Sequence, residues 1–268
     1  MPFVNRTHPH ARGLVGYWLM NEGTGNKVAD LSGNGVTGVF YGHTQFGPAK
    51  YGPGLVFDGT GDFVKAALPA ARLGGANPTI TVVAWIYPTN VTAEKHVAAQ
   101  KSSQCFLMDG KLYLYGVNTE RCTSTTTFVT NRWYQIAYTI SNGATCALYV
   151  NGIKEDTGTW VDEFTDDFYI GAWWQNEGEN FAGTMDHVLV FNRSFSDSNI
   201  ADLYTNPFQM FERPTPELWV EAGGEPPAGN PQFITIIMSR LPAWLAVGMI
   251  ITVLAVAMGC DVNKGKAA

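Results

Sequence analysis

The side chains of this chain that could do chemistry are carboxylates, aromatics grouped with amides, and cysteines. Two carboxyl groups cleave a glycosidic bond when they sit about 5–5.5 Å apart for retention, or about 6.5–9.5 Å apart for inversion. The densest acids lie in Trp160-Val161-Asp162-Glu163-Phe164-Thr165-Asp166-Asp167, a stretch that reads as a loop. Solvated loop acids are the simpler account, and no catalytic residue is assigned. Trp173-Trp174-Gln175-Asn176, followed by Asn180, has a different make-up: aromatic faces beside hydrogen-bonding amides. Such a group suits stacking on a sugar. Adjacent strand residues point to opposite faces, so at most one of the two tryptophans can be core. The other is exposed or packs under a loop.

Other chemistries find no support. There is no G-x-S-x-G, no P-loop and no H-E-x-x-H, and the five histidines have no metal-ligand spacing. The formal net charge is -6 over 268 residues, without a basic run, so nucleic acid is excluded as a partner. The four cysteines, Cys105, Cys122, Cys146 and Cys260, match no zinc pattern. Cys105 and Cys122 flank a hairpin and could be bridged; all could equally be small buried hydrophobes.

The elements that must position these groups are strands. Thr79–Tyr87 is β-branched and aromatic and ends at Pro88. Asp109-Gly110 and Asn142-Gly143 each stand between two apolar runs, the signal of a two-residue hairpin, and Asn151-Gly152 turns the chain again. Met185–Phe191 reads as a closing strand. After it Ser196, with Asn199 three residues on, caps a short helix carrying Ile200, Leu203 and Tyr204. Many short strands with no earlier helix imply an all-β antiparallel sandwich or jelly roll.

Several blocks together resemble the laminin-G-like, concanavalin A-like jelly-roll family. They are Gly13–Trp18 with Asn21–Gly25, then Asp30–Gly35, Phe57–Val64, Thr79–Tyr87, Arg132–Ala137, Leu148–Gly152 and the closing strand with its helix. The resemblance covers roughly residues 13–204. It implies a domain that binds glycans or proteins, with calcium in many members and glycan hydrolysis in some. The hydrolytic relatives alternate their acids along one strand, which the 160–167 stretch does not. By the same resemblance Asp30, Asn34 and Asp186 could converge on a structural Ca2+, since the closing strand passes near the first ones. Asp30 and Asn34 are also good turn formers. Asp58 and Asp62 are a second, weaker pair.

The rest of the chain is read as an arm (residues 1–12), the jelly roll (13–205), a Pro- and Gly-rich linker (206–232), an apolar segment (233–260) and a polar tail (261–268). Leu241–Cys260 is uncharged and matches the roughly 20 residues of a single-pass C-terminal membrane helix. The N-terminus has no apolar core of a secretory signal. The Lys264 and Lys266 tail favours a cytoplasmic C-terminus, whereas Arg240 and the geometry of a tail anchor place the large domain there instead. A virion protein assembled inside its host would not need export, and the segment after the helix, Leu203–Phe211, resembles phage structural proteins. The expectation is a non-enzymatic module binding surface glycan or protein, with a purely structural virion or envelope component as the alternative. The ligand and the oligomeric state are not specified by the sequence.

Overall fold

The computed structural model describes residues 4–100, 102–174 and 178–211. Two eight-stranded antiparallel sheets face one another. The first contains β1 (Leu14–Trp18), β4 (Gln45–Pro48), β5 (Pro53–Asp58), β7 (Ile80–Pro88), β12 (Tyr134–Ser141), β13 (Thr145–Val150), β14 (Ile153–Thr159) and β16 (Ala182–Phe191). Its order is β14-β13-β12-β7-β16-β5-β4, and β1 pairs with the far half of β16. The second contains β2 (Lys27–Val28), β3 (Gly38–Tyr41), β6 (Phe63–Ala66), β8 (Lys95–Gln100), β9 (Ser103–Met108), β10 (Lys111–Gly116), β11 (Thr119–Thr123) and β15 (Phe168–Ile170). Its order is β11-β10-β9-β8-β15-β6-β3-β2.

Turn chemistry sets the registers. Asp109 and Gly110 have φ of 50° and 71°, and Asn142 and Gly143 have 51° and 57°. Positive φ at both central residues is what a two-residue hairpin requires, and Asn, Asp and Gly tolerate it at least cost. The β9–β10 and β12–β13 pairings follow from those two turns.

Alternation along each strand divides its residues between two environments. Val82, Ala84 and Ile86 of β7, Ile136, Tyr138 and Ile140 of β12, and Val188 and Val190 of β16 point into the core between the sheets. Their neighbours Val83, Ala137, Leu189 and Phe191 face the other way, beneath helix α1 (Asp197–Thr205), where Ile200 and Leu203 cover them. Ser196 Oγ accepts the Asn199 N–H and caps this helix, as its position in the sequence implies.

The outer face of the first sheet is therefore covered, and by more than the helix. Val4 and Ala11 from the N-terminal segment and Met210 from the C-terminal one join the same apolar cluster. Asn5 N–H donates to the Met210 carbonyl at 2.7 Å, and Val4 forms a bridge with Phe211. Residues 4–12 and 206–211, read from sequence as arm and linker, are built into the domain. Few apolar residues are needed to dock so short a segment against an existing face, which is why composition alone missed it. Among the described residues no helix is long and apolar enough to cross a membrane; Leu241–Cys260 lies outside them.

Candidate functional site

The outer face of the second sheet carries no α-helix among the described residues. Leu112 and Leu114 of β10 and Cys105 and Leu107 of β9 enter the core, so Tyr113, Tyr115 and Phe106 stand on the opposite side. A β-bulge between His96 and Ala98 keeps His96 opposite Phe106 in the β8–β9 register. The result is a continuous row of rings. Phe106 lies 5.4 Å from Tyr113 and 5.0 Å from Tyr115, His96 lies 5.2 Å from Phe106, and Trp173 stacks on His96 at 5.9 Å with 28° between planes. A second group, Tyr41, Phe63 and Tyr169, continues across β3, β6 and β15, and Trp174 packs against it.

The rings differ in what they offer. Phe106 and His96 are buried and form the floor, whereas Tyr113, Tyr115 and Trp173 are half-buried and Tyr41 is 44% exposed. Burial, and next the Glu120 carboxylate, push the Tyr115 hydroxyl above the ordinary phenol value, so it remains a neutral donor. Lys65 bonds to Asp167 at 3.1 Å, and that bond raises the ammonium above its usual value.

Polar groups rim the row. His96 Nε2 lies 3.0 Å from Glu94 Oε1 and 3.3 Å from Glu179 Oε2, and these ligand atoms all fall within 4.8 Å of one another. A facing carboxylate pair was not expected from sequence, since the two glutamates are far apart in the chain. Here both converge on one imidazole nitrogen. A second group of potential ligands, His43, Asp58 and Asp62, gathers at the loop after β5. Asp62 is buried and accepts the backbone N–H groups of His43 and Asp58, so it holds that loop closed.

The residues singled out from sequence are placed as follows. Trp173 and Trp174 lie in a turn after β15 rather than on a strand, so the opposite-faces rule does not apply to them. Neither enters the sandwich core; both lie over the second sheet, half-buried. Gln175 and Asn176 lie outside the described residues. Asn180 is buried, and its Oδ1 accepts the Gly61 N–H at 2.8 Å, which ties the loop after β5 to the approach to β16. That makes it a positioning residue.

The expected calcium set does not fit calcium. Asp30 Oδ1 accepts the N–H groups of Tyr17 and Ser32 at 3.0 and 2.8 Å, and Oδ2 accepts Ser32 Oγ–H and the Val36 N–H at 2.7 and 3.0 Å. Asn34 donates its amide to the carbonyl of Leu14 at 3.1 Å. Asp186 is buried at the first sheet and accepts the N–H groups of Tyr51 and His187, each at 2.8 Å. The two carboxylates share no partner and are occupied by donors, whereas calcium needs several free oxygens directed at one point.

The acid-rich loop is not simply solvated. Asp162 pairs with Arg121 at 2.8 Å, both nearly buried, and Asp167 pairs with Lys65. Trp160 is fully buried, with its Nε1–H on the Asp162 carbonyl. Cys105 and Cys122 do not meet, because both lie opposite Leu114 from either side of β10. Two strand spacings, about 9.6 Å, separate them, more than the ~7 Å a disulfide allows.

Sequence reasoning missed Tyr113, Tyr115, Phe106 and His96. The run Lys111-Leu112-Tyr113-Leu114-Tyr115 held the signal: leucines on one face, tyrosines on the other.

Residues 58–201 match the sequence model described as the concanavalin A-like lectin/glucanases superfamily. Among solved structures, domain 4 of the Geobacillus stearothermophilus arabinanase AbnA, in complex with arabinotriose, superposes with a TM-score of 0.58 at 18% identity, over 71% of this chain and 98% of that one. The binding domain of Paraclostridial Mosquitocidal Protein 1 gives 0.60 at 16% identity, over 74% of this chain and 53% of that one. A Trypanosoma rangeli sialidase mutant gives 0.59 at 19% identity, over 77% of this chain and 36% of that one. At these identities the likeness is one of fold. No curated protein matches the sequence significantly.

Proposed function

This chain belongs to the concanavalin A-like lectin/glucanases superfamily, and on that premise we propose that it is a non-enzymatic carbohydrate-recognition module. The observation that supports this most is the ring row Tyr113/Tyr115–Phe106–His96–Trp173 on the outer face of the second sheet. A sugar ring has an apolar C–H face that fits a flat aromatic surface, while its hydroxyls need a few placed polar groups. Glu94 and Glu179 at the rim, with Tyr115 OH, supply acceptors and a donor. The buried floor of Phe106 and His96 holds the half-buried rings in fixed orientations, which lowers the ordering cost of binding.

On this reading the ligand is a surface glycan, and Leu241–Cys260 tethers the module to a membrane. The solved domains cited above include a relative holding arabinotriose, and a botulinum neurotoxin binding domain of the same fold was solved in complex with SialylT. They support the class of ligand and leave its identity to experiment.

The test is a glycan-array screen of the full chain beside Trp173→Ala and Tyr115→Ala, with the exposed Ile153→Ala of the first sheet as control. Binding that falls at least about tenfold, or ~1.4 kcal/mol, in both face variants and is unchanged in the control supports the reading. No binding to any glycan by the folded wild type sinks it and leaves the structural virion or envelope role ahead. Glycan cleavage abolished by Glu94→Gln would replace recognition with hydrolysis.

A further inference from the structure

The two sheets meet at one edge through a pair of sulfurs. Cys122 lies on β11, the edge strand of the second sheet, and Cys146 on β13 of the first. Their Sγ atoms are 3.4 Å apart, and both residues are buried. Three features hold the strands in this juxtaposition. Thr123 N–H on β11 donates to Asp156 Oδ2 on β14 at 2.8 Å. Arg121 on β11 is anchored by Asp162. Gly158, opposite Cys146 on β14, has no Cβ; one placed there would sit 2.0 Å from the Arg121 carbonyl and 3.3 Å from Cys146 Sγ. The missing side chain lets β11 approach β14.

We propose that Cys122 and Cys146 form a redox-active pair that peroxide closes to a disulfide, stapling the second sheet to the first. The sulfurs need to move by about 1.35 Å to reach bonding distance, from 3.4 Å to the ~2.05 Å of a disulfide. Surroundings assign the roles. The hydrogen bond shared with Cys122, then, against the opposing effect of burial, the Gly158 N–H and the Arg121 guanidinium lower the Cys146 thiol, while the same bond, together with burial, raises Cys122.

The chemistry balances with hydrogen peroxide as oxidant. The Cys146 thiolate attacks one peroxide oxygen, the O–O bond breaks, and the departing hydroxide takes up a proton to leave as water. Cys122 then loses its proton and attacks the sulfenic sulfur of Cys146. The S–O bond breaks, and the hydroxide leaves with that proton as the second water. Two thiols and one peroxide become one disulfide and two waters. The sulfurs lose the two electrons that the peroxide gains.

The experiment treats the full chain with dilute hydrogen peroxide, alkylates remaining thiols under denaturing conditions, and maps peptides without reduction. The expected product links the Cys122 and Cys146 peptides, lighter by two hydrogens, while Cys105 and Cys260 remain alkylated. Its melting temperature should rise by roughly 5–10 °C and return on adding a thiol reductant. In Cys122→Ser the reaction should stop at a Cys146 sulfenic acid that dimedone traps. Failure of that variant to fold would leave the wild-type map to decide. Cysteines 122 and 146 that both stay alkylatable, a link to Cys105 or Cys260 instead, or an unlinked Cys146 sulfinic acid would each overturn the proposal.

Discussion

Replacing Asp30 with Asn tests whether this carboxylate is a backbone clamp or an ion ligand. In the native loop its two oxygens accept four hydrogen bonds. Asn keeps the shape but turns one oxygen into an NH2 group. The least costly rotamer retains the bonds from the Tyr17 and Ser32 N–H groups and sets the NH2 against the Ser32 hydroxyl and the Val36 N–H. The hydroxyl can rotate; the N–H cannot. A charge-assisted bond is lost and a backbone donor is left facing another donor, together about 2–4 kcal/mol.

The damage spreads to the core. The Val36 carbonyl accepts the Trp18 Nε1–H at 2.7 Å, and Trp18 is fully buried, stacked on Phe168. For a domain of this size the loss should lower the melting temperature by roughly 5–15 °C, read by tryptophan fluorescence and checked by urea unfolding. Because donors already satisfy the carboxylate, the midpoint should be the same in calcium and in chelator, for wild type and variant alike. A wild-type midpoint that drops several degrees in chelator, with Asp30→Asn then insensitive, would refute the clamp and restore Asp30 as a ligand. So would a cost below ~1 kcal/mol.

Three further outcomes are expected. Gly183→Ala should destabilise by at least about 3 kcal/mol: φ is 140° there and the new Cβ would lie 2.1 Å from the Tyr87 carbonyl, so an unchanged urea midpoint would contradict the packing of β16 on β7. Ser196→Ala should cost about 1 kcal/mol, because the cap on the Asn199 N–H goes; a neutral result in chemical unfolding would count against α1 as a structural lid. His10, buried against Phe195, has its pKa lowered from 6.5, first by burial and next by His8. The unfolded chain therefore binds this proton more readily, so stability should fall as pH drops below about 6.5, and His10→Gln should flatten that slope in a pH series of thermal melts.

How far the sequence was legible depends on the range of the interaction. The hairpins at Asp109-Gly110 and Asn142-Gly143 and the cap at Ser196 are decided within four residues, and all were readable. The docking of residues 4–12 onto 206–211 was not, because each piece is too short and mixed to show a pattern of its own. The tryptophan pair illustrates a different limit. Its composition pointed to a surface site, but its geometry was argued from strand alternation, and the turn after β15 places both rings over the same sheet.

By itself the sequence determined an antiparallel sandwich closed by a capped helix, since turn chemistry and period-two burial are local properties of the chain. Tertiary structure decided which outer face is covered among the described residues. Helix α1 and the terminal segments cover the first sheet, and the rings of β8, β9 and β10 line up only once those strands are paired in register. It also decided that Asp30 and Asp186 hold backbone, that Glu94 and Glu179 converge on His96, and that Cys122 meets Cys146 rather than Cys105. Each of these depends on which strands become neighbours, and residues distant in the chain acquire a common environment only when the sheets close on each other.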